Sequence, residues 1–205
     1  LNRFNSNQKR NIKRERASIK KSGISIATLK GNEINKESMQ KMYYFYSLHC
    51  SKWGVWGSKY LSESFFEKLS ELEHSEQLVL FYAYRENPKD PLAMSLCVTD
   101  NKMLWGRYWG AKEEIDCLHF ELCYYSPISW ALMNGIKCFD PGSGGIKHKL
   151  RRGFLIQPTI SLHRWYDQQM NNLIQTWLPT SNKLMEEEIN SLNQQIPLKA
   201  KDLKV

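Results

Sequence analysis

The sequence contains no long hydrophobic run, and this absence limits its class. No stretch of about 18 consecutive apolar residues occurs, so no transmembrane helix is predicted. The amino terminus is polar and basic with no apolar segment behind it, so no signal peptide is predicted. We therefore expect a cytoplasmic protein with one main domain. The chain begins with Leu1 instead of Met, from which we expect a fragment.

The cysteines lack the spacing of a disulfide or zinc framework. There are five of them, an odd number, and none forms a Cys-x-x-Cys pair. Reduced thiols in a cytoplasm fit this pattern better than disulfides. His119 and Glu121 match half of the zinc deaminase motif, but the paired cysteines that should follow are absent. No metal site is predicted.

Acidic residues are scarce at the beginning of the chain. Residues 1–36 contain ten Lys or Arg and two acids, so they carry the whole net charge of +8 and the remainder is neutral. Residues 5–22 predict a basic helix that Asn5 or Ser6 caps and Gly23 ends. This helix is either a solvated surface element or a phosphate-binding face. The cations at near-helical spacing that would form the face are Lys9, Arg10, Lys13 and Arg14.

Apolar patterning predicts an α/β order of elements: a strand, two helices, three antiparallel strands, a helix and a further strand. Strand patterns alternate or run continuously, whereas helix patterns repeat every three to four residues. Pro127 falls inside one helix and either kinks it or restarts it with Ser126 as the cap. The predicted strands are 24–29, 77–84, 92–99, 103–110, 136–139 and 158–165. The predicted helices after the basic one are 35–51, 62–74, 118–134, 166–177 and 181–195.

Side chains capable of chemistry concentrate between positions 105 and 154. The glycines there let the backbone approach a ligand closely, and the His, Glu, Lys and Arg supply proton-transfer and anion-binding groups. An acyl-transfer site would use such a mixture, although composition alone does not name the reaction. The segments are WGRYWG at 105–110, HFELCYY at 119–125, FDPGSGG at 139–145 and HKLRRGF at 148–154.

On these segments and the basic helix, the chain resembles the FemAB-like branch of the GNAT acyltransferase superfamily, which is associated with peptidoglycan biosynthesis or recognition. The resemblance covers roughly residues 6–165. It implies an α/β fold with a GNAT-like mixed, mostly antiparallel central sheet flanked by helices. We expect this domain at 1–165, including the basic helix, and a helical extension with a frayed tail at 166–205. Relatives usually contain two such domains and this chain resembles the second, so the missing amino-terminal domain is an expected partner.

The same resemblance implies a reaction. An acyl or aminoacyl group would pass to an amine acceptor, for example a peptidoglycan precursor peptide. The donor would be an aminoacyl-tRNA or an acyl-CoA, and no cofactor would be bound permanently. Both donors are polyanionic, which suits the basic helix. Two alternatives stay open: a non-catalytic module that binds RNA or an anionic precursor, and a degenerate half of a two-domain transferase.

Four side chains are the leading candidates for the chemistry. Glu121 is either the general base for the amine or a surface carboxylate stabilised by a helix dipole. His119 shares that role, orients Glu121 or is structural. Lys149 follows the glycine loop, where relatives carry a lysine, and would hold the donor's phosphate or polarise its carbonyl. Arg107 either stacks on neighbouring rings or presents a fork to a carboxylate. We expect these four side chains to converge around one cavity.

Further residues are expected to contact substrate. The glycines after position 141 would cradle an anion through backbone N–H groups. A separate loop, WGVWG at 53–57, is either a lid on the core or a wall of a substrate channel. The additional substrate-binding candidates are Tyr108, Trp109, Tyr124, Asp140, Gly142, Gly144, Gly145, His148 and Arg152.

Overall fold

The computed structural model describes residues 4–57, 59–71, 75–100 and 102–197. Its strands are β1 (Ser25–Lys30), β2 (Leu78–Tyr84), β3 (Ala93–Thr99), β4 (Met103–Ala111) and β5 (Cys138–Asp140). They form one five-stranded sheet in the order β1-β2-β3-β4-β5. Neighbours among β1 to β4 are antiparallel, and β5 is parallel to β4. The predicted mixed, mostly antiparallel sheet is therefore confirmed.

Helices precede, interrupt and follow the sheet, as predicted. Asn35 caps the helix after β1, because its Oδ1 accepts a hydrogen bond from the Ser38 backbone N–H at 2.9 Å. A π-helical segment, Glu121–Tyr125, joins two of the helices. The helices are α1 (Ser6–Lys21), α2 (Lys36–Ser51), α3 (Glu63–Glu71), α4 (Leu118–Phe120), α5 (Ser126–Met133), α6 (Ile146–Leu150) and α7 (Gln168–Gln194).

Each face of the sheet carries its own apolar core. Strand β2 is apolar throughout because both of its faces are covered. Its residues Val79 and Phe81 pack with α1, α4, the π-helical segment and α5. Its residues Leu78 and Leu80 pack with α2 and α3 on the opposite face. The sheet is thus the middle layer of three within residues 13–142.

Strand β4 carries two irregularities that shape its surroundings. Leu96 pairs with Tyr108 and Cys97 with Gly106, so Arg107 is an extra residue that forms a β-bulge. Farther along, a Cβ atom on Gly110 would lie 1.9 Å from the Phe45 carbonyl oxygen. Glycine at position 110 therefore allows α2 to approach β4 directly.

The helix predicted at 118–134 is a composite. The chain passes from α4 through the π-helical segment into α5, and Pro127 occupies the first turn of α5. A proline is accommodated there because the first helical N–H groups have no intrahelical acceptor. The helix does restart near Pro127, but Ser126 does not cap it, because Tyr125 precedes α5 with helical dihedral angles.

The described chain forms two compact units. One comprises residues 13–142 and contains the sheet, and the other comprises the residues up to 12 with those from 143 onward. The domain boundary expected at residue 165 remains a prediction. The frayed tail was expected at the carboxyl end, and residues 198–205 lie outside the described residues.

Two expectations for the carboxyl-terminal part are wrong. Residues 158–165 form no strand, because no described strand pairs with them, and Ile160 and Leu162 are exposed. The two predicted helices after them are the single helix α7, which continues through Pro179. A proline removes one backbone hydrogen bond, and complete helical turns on both sides allow α7 to persist.

Candidate functional site

A cleft opens within residues 13–142, where the carboxyl-terminal half of α1, strand β1 and α5 line it. Its volume is about 580 Å³. Apolar side chains line one part of it, whereas hydroxyl and charged groups line the rest, so it offers both contact area and polar recognition. Its lining residues include Arg16, Lys20, Ile24, Glu121, Ser126 and Trp130.

An ion pair between Arg16 and Glu121 is the main polar feature of the cleft. Arg16 Nε donates to Glu121 Oε2 at 3.2 Å, and Arg16 Nη2 donates to Glu121 Oε1 at 3.0 Å. The Glu121 side chain is 6% exposed and that of Arg16 is 42% exposed. Glu121 is therefore a buried carboxylate held by a bidentate guanidinium, and the helix-surface alternative is wrong.

The π-helical segment determines which groups surround Glu121. Ser126 Oγ donates to Glu121 Oε1 at 3.0 Å across five positions. In an α-helix, residues five apart project in very different directions, whereas a π-turn bonds residue i to i+5 and brings them to one side. The Ser126 backbone N–H indeed donates to the Glu121 carbonyl oxygen. The irregular turn thus brings the Ser126 hydroxyl to the carboxylate.

A second contact fixes α1 against the same segment. The Tyr125 hydroxyl donates to Glu15 Oε2, and the Arg16 guanidinium carbon lies 5.9 Å from the centre of the Tyr125 ring. Two consecutive residues of α1 therefore bond to the two ends of the π-helical segment. This arrangement fixes the geometry of the Arg16–Glu121 pair.

His119 lies outside the cleft lining, within a cluster of aromatic rings. Its ring centre is 4.6 Å from that of Trp109, 5.4 Å from that of Tyr124 and 5.6 Å from that of Phe120. Trp109 also lies 5.9 Å from the ring of His49. Burial, with the Lys52 charge as a smaller cause, lowers the pKa of His49. The structure thus brings His119, Trp109 and Tyr124 together, but not with Glu121 in the cleft.

Arg107 and Tyr108 are consecutive, but the first is exposed and the second packs against other aromatic rings. Arg107 is exposed at the β-bulge and does not line the cleft, and its guanidinium carbon lies 5.9 Å from the Tyr108 ring centre. Tyr108 packs against Tyr46 and Phe66, at ring-centre distances of 5.3 Å and 5.7 Å. The Tyr108 ring is thus part of the core beneath α2 and α3. Substrate-binding roles for both residues remain predictions.

The glycine loop begins at the end of β5. Asp140 Oδ1 accepts a hydrogen bond from the Gly142 N–H at 2.8 Å, which closes a tight turn. Gly142 adopts a φ of 86°, a conformation that favours glycine. The Asp140 side chain therefore supports the turn, and its role in substrate binding remains a prediction.

The other candidates of this region lie in the unit that contains α6. Gly145 precedes α6 with a φ of 69°, and a Cβ atom on Gly144 would meet nothing within 4 Å. Lys149 and Arg152 are buried, whereas His148 is exposed. Arg152 Nη1 donates to the His148 carbonyl oxygen at 2.9 Å. The roles predicted for these five residues remain predictions.

The basic helix presents several cations to solvent. Lys13, Arg14, Lys20 and Lys21 are exposed, and within the described residues none of them forms an ion pair. Arg10 is exposed too and donates to Asn7 Oδ1 at 2.8 Å, whereas Lys9 is half-buried. The predicted anion-binding face is therefore accessible at three of its four positions.

Sequence reasoning missed Arg16 and Ser126. Arg16 follows Ile12 by four positions and precedes Ile19 by three, so all three lie on one face of α1. Both isoleucines are buried. A charged residue on an apolar stripe needs a buried partner, and this signal could have identified Arg16. No sequence signal predicted the π-turn that recruits Ser126.

Neither a metal nor a membrane-spanning role emerges from the part of the chain that the structure describes. Among those residues, no three His, Cys, Asp or Glu side chains are grouped so that they could hold a metal ion. No described helix is long and apolar enough to cross a membrane.

The three-layer arrangement is that of a mixed α/β protein, and comparison with known proteins gives its family. Residues 1–200 match the FemAB-like family of peptidoglycan biosynthesis/recognition, and the chain belongs to this family. The resemblance inferred from the sequence motifs is thereby confirmed. No curated protein matches the chain.

Several solved structures are similar in fold at low sequence identity. One is an aminoglycoside acetyltransferase from an uncultured soil metagenomic sample, with 9% identity, 72% of this chain and 97% of that chain covered, and a TM-score of 0.47. Another is the aminoglycoside N-acetyltransferase AAC(6')-Iy in complex with CoA. Its sequence identity is 9%, the match covers 70% of this chain and 95% of that chain, and the TM-score is 0.44. A conserved protein of unknown function from Bacteroides thetaiotaomicron VPI-5482 is 12% identical, and the match covers 72% of this chain and 49% of that chain with a TM-score of 0.49.

Proposed function

We propose that this FemAB-like chain transfers an acyl or aminoacyl group to an amine, and that the amine acceptor binds in the Arg16–Glu121 cleft. The observation that carries the proposal is the state of Glu121 Oε2. Glu121 lines the cleft, and within the described residues its Oε2 accepts one hydrogen bond, from Arg16 Nε. A carboxylate oxygen has room for a second donor.

The chemistry follows from this free acceptor position. The acceptor amine donates to Glu121 Oε2, which orients its nitrogen lone pair toward the donor carbonyl. As the N–C bond forms and the bond to the donor's sulfur or ribose oxygen breaks, the amine proton passes to Glu121, and the leaving sulfur or oxygen takes a proton from water. Arg16 and Ser126 donate the other hydrogen bonds to the carboxylate and so fix its orientation. Their role is positioning.

The finer identities are also part of the proposal. The donor is an acyl-CoA or an aminoacyl-tRNA, and family membership supports a peptidoglycan precursor peptide as the acceptor. Lys20 and the other exposed cations of α1 favour an anionic donor. A cytoplasmic location and a partner acyltransferase-like domain complete the proposal.

A transfer assay tests the function. The full chain is incubated with labelled acetyl-CoA or labelled aminoacyl-tRNA and an amine-bearing peptidoglycan precursor peptide, alone and with a separate family domain added. Covalent labelling of the peptide supports the proposal. If a folded chain labels no amine under either condition, acyl transfer is the wrong reaction for this protein.

A second candidate function is polyanion binding without turnover. It rests on Lys13, Arg14, Lys20 and Lys21, four exposed cations for which the described residues provide no acidic partner. Such binding weakens steeply with salt, because each neutralised phosphate releases a counterion. Retention of tRNA that falls steeply between low and physiological salt, and falls further in K13Q/R14Q, would favour this function if no transfer is detected.

A further inference from the structure

The segment between α2 and α3 holds large apolar side chains out in solvent. We define the tryptophan loop as residues 52–57. Trp53 is 63% exposed, Val55 is 94% exposed and Trp56 is 86% exposed, and the neighbouring Tyr60 is 85% exposed. The sequence predicted either a lid on the core or a channel wall, and these exposures show that the tip does not pack on the core.

The backbone of the tryptophan loop is fixed in this outward shape. The Gly57 N–H donates to the Gly54 carbonyl oxygen at 3.0 Å, which closes a 3-10 turn. A Cβ atom on Gly57 would lie 1.8 Å from the Cys50 carbonyl oxygen, so the returning chain is pressed against the end of α2. Beyond the loop, the Tyr60 N–H donates to the Tyr46 hydroxyl at 3.0 Å. The exposed tip is therefore part of a closed, anchored turn.

The shape and composition of the tip favour one kind of partner. Side chains exposed by 86% and 94% form a convex tip, and a protein partner would need a matching cavity for them. A lipid surface adapts to any convex apolar tip. Tryptophan and tyrosine are enriched at the interface between lipid and water, and flanking lysines reach the headgroup phosphates. Lys52 and Lys59 flank the tip, and residues 51–62 contain no acidic side chain.

We propose that the tryptophan loop is a membrane-surface contact: Trp53, Val55 and Trp56 enter the boundary between headgroups and acyl chains, while Lys52 and Lys59 stay at the phosphates. The Lys52 side chain is 42% exposed, and its Nζ lies 3.6 Å from Glu114 Oε1. Lys59 Nζ lies 4.6 Å from the centre of the Tyr43 ring. Both lysines are exposed and flank the tip in the sequence, and the Lys52 ammonium also pairs with the exposed carboxylate of Glu114. This contact is peripheral and does not depend on the proposed acyl transfer.

Vesicle co-sedimentation tests the proposal with the full chain. The vesicles contain phosphatidylcholine with about 30% phosphatidylglycerol, because anionic lipid attracts the lysines. The test variant is V55S/W56S, whose changes fall on exposed side chains. The matched control is Trp177→Ser, since Trp177 is also a solvent-exposed tryptophan, 58% exposed on α7. Size-exclusion chromatography of each protein without lipid reports self-association.

The expected result is that the wild-type chain and Trp177→Ser bind equally and that V55S/W56S binds at least about tenfold more weakly, because its apolar contact is lost. K52Q/K59Q should weaken binding to the anionic vesicles and leave binding to pure phosphatidylcholine unchanged. Equal binding by V55S/W56S and the wild type would overturn the proposal. So would absence of vesicle binding by the wild type, and so would a wild-type dimer that V55S/W56S dissociates without any lipid binding.

Discussion

Arg16 donates two hydrogen bonds to the carboxylate of Glu121, although 105 positions separate the two residues. The pair joins the basic helix α1 to the π-helical segment beside the sheet. Burial of Glu121 excludes water from one side of the pair, whereas the cleft leaves the other side accessible. The same contact therefore fixes the position of α1 and prepares a polar group for a ligand.

Arg16→Lys should damage both the fold and the function, because a lysine cannot form two parallel bonds to a carboxylate. We expect the free energy of unfolding to fall by about 1–2 kcal/mol and kcat/KM for acyl transfer to fall at least about tenfold. Arg85→Lys is the matched control. Arg85 bonds to Glu113 at 2.8 Å, and both side chains are about half exposed. Equal effects of the two changes would contradict a special role for Arg16.

Ser126→Ala removes the hydroxyl that the π-turn brings to Glu121. We expect a loss of about 1 kcal/mol in stability and a several-fold lower kcat with little change in the binding of the donor, since Ser126 positions the carboxylate. Chemical denaturation and steady-state kinetics measure the two effects. Ser70→Ala is a suitable control, because its hydroxyl bonds to a backbone carbonyl oxygen on α3 instead. An unchanged kcat in Ser126→Ala would contradict the positioning role.

The strands and most helices could be predicted because local patterns determine them. Strand β2 is continuously apolar, and the helix after β1 carries its own cap at Asn35. Residues 158–165 contain apolar side chains as well, but a strand also requires a partner, and the sequence of the segment does not specify one. The sequence predicts two helices, 166–177 and 181–195, where the structure has one, because local patterns do not show that helical turns continue across the segment between them.

The candidate site was predicted only in part. Glu121 is a candidate from the sequence, and the structure places it in the cleft lining, while its functional role stays a prediction. Its partner was not predicted, because Arg16 is one of ten cations in a basic segment. The π-turn depends on one extra residue per turn, which leaves no compositional signal. His119 and Glu121 share one sequence motif, and Arg107 lies in the motif before it. Neither His119 nor Arg107 lines the cleft, because tertiary packing decides which way a side chain points.

Gly110→Ala should destabilise the sheet unit strongly. The new Cβ would meet the Phe45 carbonyl oxygen at 1.9 Å, so α2 must move away from β4. We expect a loss of about 3 kcal/mol, measured by chemical denaturation. Gly106→Ala on the same strand is the control, because its Cβ would meet the nearest atom, Pro141 Cα, at 3.4 Å. If both alanines were tolerated equally, the close approach of α2 to β4 would be wrong.

His49 should make stability depend on pH. Burial lowers the pKa of His49, so the unfolded chain binds a proton at this residue at a higher pH than the folded chain does. The stability that neutral His49 contributes is fully present above the histidine pKa of the unfolded chain, about 6.5. It is lost as the pH falls from there through the lower pKa of the folded chain. We therefore expect His49→Gln to lose less stability than the wild type between pH ~7.5 and pH ~5.5. If the free energy of unfolding fell equally with pH in the two proteins, as measured by chemical denaturation at each pH, this prediction would be refuted.

The most direct measurement is kcat/KM for amine acylation by Glu121→Gln beside Glu113→Gln, with circular dichroism to show that both variants are folded. Glu113 is the acidic partner in the exposed pair with Arg85, so it controls for loss of a charge and of an ion pair. The cleft mechanism predicts at least about a tenfold loss for Glu121→Gln and wild-type activity for Glu113→Gln. A folded Glu121→Gln protein that acylates amines at the wild-type rate would contradict it.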